Sequence, residues 1–159
     1  VAPHIYRDDE IVDLLAAART LGPAGSLRPF TYETLFGLMA SAGLRVSEAL
    51  HLRDTDVDLK RGLLTIRQTK FAKSRLLPVH PTTVVALAKY RKARARHVAA
   101  AADMPFLISS RGRLLGKPLS DRQAHRVFNA LRDQLGWVNR VVTLPSACMT
   151  CGIPLSFVA

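Results

Sequence analysis

Cysteine is scarce in this sequence. Only Cys148 and Cys151 occur in 159 residues, both among the last twelve, and two cysteines give no disulfide framework. A zinc site would need two more ligands at suitable spacing, and a redox pair would need a thioredoxin-like unit around it. Because the sequence near the pair provides neither, it predicts no metal site and no cofactor.

Long apolar runs are also missing. No stretch approaches the roughly 20 apolar residues of a membrane-spanning helix, and residues 1–6 lack the apolar core of a secretory signal. A hydrophobic content of 48% in 159 residues suits one globular domain with a real core. We therefore expect a cytoplasmic protein without a membrane partner.

Acidic residues are rare in the second part of the chain. Residues 60–159 hold 18 Lys and Arg but only 3 Asp and Glu, which gives a net charge of +15. Residues 1–59 hold 5 Lys and Arg and 9 Asp and Glu, which gives a net charge of −4. The whole chain has a formal net charge of +11 and a pI near 10.6. This asymmetry indicates a polyanionic partner, with nucleic acid as the leading candidate. A soluble protein from an arginine-rich host would have a similar composition, and this alternative stays open.

Hydrophobic spacing predicts the secondary structure. Apolar residues recur at helical spacing in five segments, and two short alternating runs flank a polar connection, which indicates a β-hairpin. Gly43 suits the left-handed position that ends a helix, and Ser120 suits a helix N-cap. The predicted helices cover residues 8–21, 29–42, 46–52, 81–101 and 119–137, and the predicted strands cover 63–68, 75–79 and 106–109. This pattern predicts an α+β fold, a mainly helical domain with a small three-stranded antiparallel sheet.

Two charged stretches have more than one interpretation. The basic residues of the helix predicted over 81–101 first suggest a solvated face, and second suggest non-specific contact with a nucleic-acid backbone. Asp54, Asp56 and Asp58 match a calcium loop only in part, because the glycine and the later glutamate of that pattern are missing. We expect these acids to cap a turn that leads into the sheet.

Two motifs carry the chemistry. Arg45 lies at a helix turn in Gly43-Leu44-Arg45-Val46-Ser47-Glu48, and Lys70 lies in a basic connection between two apolar strands. Arginine offers a rigid two-pronged donor, whereas lysine is a mobile point charge that can also give up a proton. Both side chains are suited to binding a phosphate group.

These motifs, together with residues 52–58 and 73–79, resemble the catalytic domain of tyrosine recombinases, the family of phage integrases and Xer-type enzymes. The resemblance covers residues 5–137, with the motifs in family order and Arg45 and Lys70 25 residues apart. It implies that fold, a role in DNA integration and recombination by a mobile element, and DNA as a partner bound through its phosphate backbone. It also implies other recombinase subunits as partners. Neither metal nor ATP is needed, because a covalent intermediate conserves the bond energy.

The resemblance also assigns roles. In the family a tyrosine attacks a DNA phosphodiester, two arginines and a histidine stabilise the developing charge, and a hairpin lysine protonates the leaving oxygen. Arg45 matches the first catalytic arginine and Lys70 the lysine, with Lys73 as a rival for the same role. Lys73 and Arg75 otherwise suggest contacts with the DNA backbone, or solvated charges. The structural alternatives are an Arg45 paired with Glu48 and a Lys70 that is only an exposed turn residue.

The second half of the family's site is absent from this sequence. No His-x-x-Arg follows the last predicted helix, and His125-Arg126 is expected to be a surface pair inside it. The three tyrosines all precede the expected position of the nucleophile: Tyr6, Tyr32 and Tyr90. The family's N-terminal DNA-clamping domain is not found either. We expect residues 1–137 to form a partial, C-terminally truncated catalytic domain that is catalytically inactive. There are two alternatives. The chain is a DNA- or recombinase-binding regulatory module, or it is a decayed gene product without a selected role.

Residues 138–159 match neither helical nor strand periodicity. Synonymous codons can encode the stretch 148–155 as TGC ATG ACC TGC GGC ATT CCT TTG. Reading from the third base gives His-Asp-Leu-Arg-His-Ser-Phe, the motif that the resemblance implies and the chain lacks. We therefore hypothesise a frameshift between about Trp137 and Cys148, which would make 138–159 a tail foreign to the family.

Overall fold

The computed structural model describes residues 6–68 and 73–137. Its elements in these ranges are α1 (Asp8–Arg19), α2 (Arg28–Ala42), α3 (Val46–Leu50), β1 (Val57–Asp58), β2 (Leu63–Gln68), β3 (Lys73–Pro78), α4 (Pro81–Ala95) and α5 (Asp121–Gln134). The three strands form one antiparallel sheet in the order β1-β2-β3. This confirms the predicted α+β fold with a small three-stranded sheet. None of the helices in these ranges has both the length and the apolar character that crossing a membrane requires.

Helix α2 forms the centre of the domain. Its bounds agree with the predicted helix, with a proline in the first turn and Gly43 in the left-handed region (φ 64°) just past its end. Leu35, Leu38 and Met39, which recur at helical spacing, are buried as predicted. Burial is not confined to their face, however, because every residue from 31 to 39 is buried. Helices α1, α3 and α4 all pack against it. A helix enclosed on all sides needs no polar face toward solvent.

The third strand is not where the sequence predicts it. Residues 106–108 are fully buried but belong to no strand of the sheet, and β1 takes the third place by pairing with β2. The N–H of Phe106 donates to the carbonyl of Leu52 at 2.8 Å, and the N–H of Ile108 donates to the hydroxyl of Tyr90 at 3.2 Å. The backbone N–H groups of this run therefore donate to separate partners elsewhere in the domain. Their hydrogen bonds are made without pairing to a neighbouring strand.

Helix α4 ends at Ala95, six residues before the predicted end. The chain turns there and returns the apolar run 106–108 to the core, so tertiary packing overrides the helix propensity of the alanines that follow. Helix α5 also ends earlier than predicted, at Gln134. Its predicted N-cap is confirmed, because the Ser120 hydroxyl accepts from the N–H of Gln123 at 3.2 Å.

Two arginines of α4 are structural. The solvated face predicted for this helix is wrong at Arg91 and Arg94, because both guanidinium groups bind the Asp54 carboxylate. Arg94 is only 3% exposed and also donates to the carbonyls of Pro105 and Phe106. The guanidinium carbons of both arginines lie over the Phe106 ring, 5.6 and 5.4 Å from its centroid. This cluster fastens α4 to the turn before β1 and to the buried run.

The other two acids of the predicted cap behave as expected. Asp56 is buried and accepts from the N–H of Arg53 at 3.0 Å, and it also pairs with Arg67 at 2.8 Å. The Asp58 carboxylate accepts from the N–H groups of Lys60 and Arg61. All three acids therefore hold the turn into the sheet through protein partners. Within the described ranges, no group of three or more His, Cys, Asp or Glu side chains could hold a metal ion.

We predict that Asp54→Asn strongly destabilises the domain. The substitution leaves the Arg94 charge buried without its counter-charge, so the free energy of unfolding should fall by about 3 kcal/mol in a denaturant titration. Asp103→Asn is the matched control, since it breaks the pair of Arg53 with Asp103, whose side chains are 50% and 76% exposed. That exposed pair should contribute less than about 1 kcal/mol. Equal losses in the two variants would contradict a structural role for the buried cluster.

Candidate active site

The turn between α2 and α3 presents Arg45 to solvent. Gly43 ends α2, the fully buried Leu44 anchors the turn in the core, and Arg45 is the N-cap residue of α3. The side chain of Arg45 is exposed, and its guanidinium makes no hydrogen bond or ion pair with any residue that the structure describes. The backbone is therefore fixed while the guanidinium remains available to bind an anion.

The Glu48 carboxylate joins the two predicted motifs. Its Oε2 accepts from the N–H of Arg45 at 2.9 Å and lies 3.3 Å from an Arg75 guanidinium nitrogen. The alternative in which Arg45 pairs with Glu48 therefore holds only for the Arg45 backbone, because Arg75 takes the ion pair. The Glu48 side chain is 11% exposed, so this pair is partly shielded from water. It ties the start of α3 to strand β3.

The sheet register explains how Arg75 reaches Glu48. Arg75 is the cross-strand partner of Ile66, and Ile66 is buried in the core. Cross-strand partners project from the same face of a sheet. Arg75 thus lies on the core-facing side of β3, where the start of α3 approaches. Its side chain is still 46% exposed, so part of the guanidinium faces solvent.

Of the two lysines predicted in the hairpin, the structure describes Lys73 but not Lys70. Lys73 is exposed at the start of β3, opposite Gln68 of β2. Lys70 belongs by sequence to the connection between β2 and β3, but it lies outside the described residues. Its assignment as the hairpin acid, and its placement at a mobile tip, both stay predictions. The tail 138–159, with its two cysteines, also lies outside the described residues.

All three tyrosines are buried in the domain. The Tyr90 hydroxyl accepts from the N–H of Ile108, and the Tyr6 ring contacts Phe128 and Trp137. Burial raises the pKa of each phenol, and for Tyr6 the nearby Glu10 carboxylate raises the pKa further. Burial and a raised pKa both oppose formation of a phenolate, so these side chains act as core residues.

The His125-Arg126 pair is on the surface, as predicted. Both side chains are exposed on α5, and His125 Nδ1 lies 2.9 Å from the carbonyl oxygen of Asp121 and 3.1 Å from its carboxylate. A different group of cations was missed by sequence reasoning. Arg28, Arg111 and Arg126 line one cleft, although they are far apart in the chain and share no motif.

Comparisons with known proteins identify the family of this chain. Residues 5–143 match the model of the phage integrase family. An integrase/recombinase named y4rB from Sinorhizobium fredii is 44% identical over 137 residues, which cover 84% of this chain and 43% of that protein. The tyrosine recombinase XerC of Thermodesulfovibrio yellowstonii is 31% identical, covering 69% of this chain and 36% of that protein. The chain thus spans less than half the length of these relatives.

Solved structures share the fold. The crystal structure of the XerA recombinase superposes with a TM-score of 0.67 at 22% identity, covering 89% of this chain and 47% of that chain. A XerH site-specific recombinase bound to a palindromic difH substrate gives a TM-score of 0.64 at 16% identity and covers 89% and 38%. At these identities the likeness establishes the fold.

We predict that each of the three tyrosines ionises at a higher pH in the folded protein than in the unfolded chain. In the unfolded chain they should titrate near their ordinary pKa of about 10. Because the folded pKa values are raised, the associated stability is fully present below about pH 10 and is lost as the pH rises toward the folded values. Tyrosinate absorbance measured against pH, with and without denaturant, checks this. A folded protein that is half ionised near pH 10 would contradict the burial of these phenols.

Proposed function

Because this chain belongs to the phage integrase family, we propose that residues 6–137 are the part of a tyrosine recombinase catalytic domain that holds the first catalytic arginine and binds DNA phosphates. One observation carries the proposal. Arg45 is held at the backbone by Glu48 and by the turn at Gly43, while its guanidinium is exposed and unpaired within the described residues. A guanidinium without a counter-charge of its own, on a fixed backbone, can bind a phosphate and stabilise charge that develops on it.

The hairpin completes the proposed half-site. Charge that builds on the non-bridging oxygens would meet Arg45, and the leaving oxygen would take a proton from Lys70, or from its rival Lys73. The Glu48–Arg75 ion pair supports this division of roles, because it fixes β3 relative to the turn that carries Arg45. We propose Glu48 as a positioning residue for both motifs.

DNA is the proposed partner. The +15 net charge of residues 60–159 and the exposed Lys73 support binding to the phosphate backbone, with the exposed part of Arg75 as a further contact. The XerH relative was solved bound to its DNA substrate, which supports the same partner for this fold. Phosphate contacts carry no sequence information, so this binding should be largely independent of sequence. Other recombinase subunits are a further proposed partner, and integration or recombination of a mobile element is the proposed context.

We propose further that the chain by itself does not cut DNA. Its sequence has no His-x-x-Arg after α5, and each of its three tyrosines is buried. A DNA- or recombinase-binding regulatory module is the second candidate function, favoured by the presence of cationic groups without an accessible tyrosine. A nicked suicide substrate distinguishes enzyme from binder, because it traps a covalent protein–DNA adduct. The adduct should not form, and its formation would refute the proposed inactivity.

We predict weak, salt-sensitive DNA binding that depends on Arg45. Titration of duplex DNA at several salt concentrations should show affinity falling steeply with salt. Arg45→Gln should reduce the slope of log affinity against log salt by about one, the value for one lost phosphate contact. Arg7→Gln removes the same charge from a guanidinium already paired with Asp9 and should leave the slope nearly unchanged. Binding unaffected by salt, or equal effects of the two variants, would contradict the proposal.

We also propose that a frameshift separates the tail from the family part of the chain. The family match ends at residue 143, which supports a break inside the interval between Trp137 and Cys148. Sequencing the gene is the direct test. We expect the codons of residues 148–155, read from the third base, to give His-Asp-Leu-Arg-His. Any other sequence in that frame would end this explanation, and restoring the frame should add the motif and a downstream tyrosine.

A further inference from the structure

Helix α1 presents an acidic face to solvent. Its other side is buried and packs against α2 and α5, so the exposed positions follow one stripe of the helix. The exposed side chains on this stripe, called the α1 face below, are Asp8, Asp9, Val12, Asp13 and Ala16. Asp9 pairs with Arg7, whereas Asp8 and Asp13 make no ion pair within the described ranges. The α1 face therefore carries negative charge that its own surroundings do not neutralise.

Helix α4 presents a basic face of similar build. Its inner side packs against α2 and also holds Arg94, which is turned toward Asp54. The exposed side chains on the outer side, called the α4 face below, are Val85, Ala88, Lys89, Lys92 and, just past the helix end, Arg96. None of these three cations makes an ion pair within the described ranges. The α4 face is thus the opposite of the α1 face in charge.

An exposed valine lies on each of the two faces. Val12 is 55% exposed and Val85 is 67% exposed, and they are the two large apolar side chains on α-helices of the described ranges that are this accessible. Valine is a weaker helix former than alanine or leucine, because its branched Cβ restricts the side chain in a helix. Neither valine is compensated by burial in the domain. A partner that covered the two faces would supply that burial.

The two faces cannot meet within one copy of the chain. Helices α1 and α4 both turn their buried sides toward α2, which lies between them and the other helices at the centre of the domain. Their exposed faces consequently point outward, away from α2. The negative charge of α1 and the positive charge of α4 can therefore neutralise each other only between two copies.

The order of residues along the two helices fits an antiparallel contact. The acids lie toward the start of α1, and the cations lie toward the end of α4. An antiparallel arrangement therefore places acids beside cations and the valine and alanine of one face beside those of the other. A parallel arrangement would place the acids beside Val85 instead. At about 1.5 Å per residue the α1 face is about 12 Å long and the α4 face about 16 Å, so the two lengths are compatible.

We propose that the α1 face of one copy of this chain binds the α4 face of a second copy in antiparallel orientation. A contact between two different patches leaves one α1 face and one α4 face free at the ends, so assembly continues beyond a dimer. A contact of two helix faces is small, and the association is therefore weak. Nucleic acid would match the cations of the α4 face, but it would not match the acids of the α1 face or the two valines.

This inference deepens the proposal that other recombinase subunits are partners, since it names the surfaces, but it needs neither Arg45 nor DNA. Sedimentation equilibrium of the full chain without DNA, over a range of protein concentrations, tests it. The average mass should rise with concentration and pass that of a dimer. Asp13→Lys or Lys89→Glu alone should weaken association by at least about tenfold, because each brings like charges together. Asp13 lies beyond the first turn of α1, so its reversal leaves the acids of that turn in place.

An equimolar mixture of Asp13→Lys and Lys89→Glu provides the sharpest test. The first variant keeps a normal α4 face and the second a normal α1 face, so association should return in the mixture. Asp103→Lys and Lys60→Glu are the matched controls, because they make the same charge changes at exposed positions outside both faces. Each control should change association by less than about twofold.

Four results would overturn the proposal. They are a monomer at every concentration, equal weakening by variants and controls, a mixture that stays dissociated although each variant has an unchanged circular dichroism spectrum, and a Lys89→Glu variant that loses affinity for duplex DNA but associates normally. The last result would assign the α4 face to nucleic acid. Because association is measured without DNA, any of the first three would leave the proposal for Arg45 and DNA phosphates standing.

Discussion

The burial of α2 on all sides is the constraint on which the rest of the structure depends. Its polar residues must find partners inside the domain: Glu33 binds Arg19 at 2.7 Å, and the Thr31 hydroxyl lies within hydrogen-bonding distance of Tyr90. No face of its middle turns remains for a ligand. Its two ends, at Arg28 and near Arg45, are where the chain leaves the core and where these two arginines, which have no ion pair within the described ranges, reach solvent.

The buried charge of Arg94 is a second constraint, and it helps to position the β2–β3 hairpin in the domain. Arg94 is buried, so it must be surrounded by acceptors, and it finds them in Asp54 and in the carbonyls of the run 105–106. These contacts fix the turn that leads into β1, and β1 in turn pairs with β2. The Glu48–Arg75 pair then fixes β3 to the start of α3. The relative position of the two motifs therefore depends on two ion pairs as well as on the sheet.

Features set by neighbours in the chain could be predicted from the sequence. The end of α2 at Gly43, the Ser120 cap and the β2–β3 hairpin all follow from local backbone chemistry, and the structure confirms them. Long-range features could not be predicted. The run 106–108 has the composition of a strand, but its hydrogen-bond partners come from distant segments. Likewise, nothing local distinguishes the structural Arg94 from the exposed Arg96 two residues later.

The distribution of paired acids determines which cations stay without a nearby counter-charge at the surface. Five of the nine acids in residues 1–59 pair with an arginine and have side chains that are at most 28% exposed: Glu10, Glu33, Glu48, Asp54 and Asp56. Those acids neutralise arginines that hold the fold together and contribute little to the field outside. The cations left over, among them Arg45, Lys73 and Arg111, are therefore opposed by few exposed acids. A polyanion approaching this surface would meet these charges and not the sum over the chain.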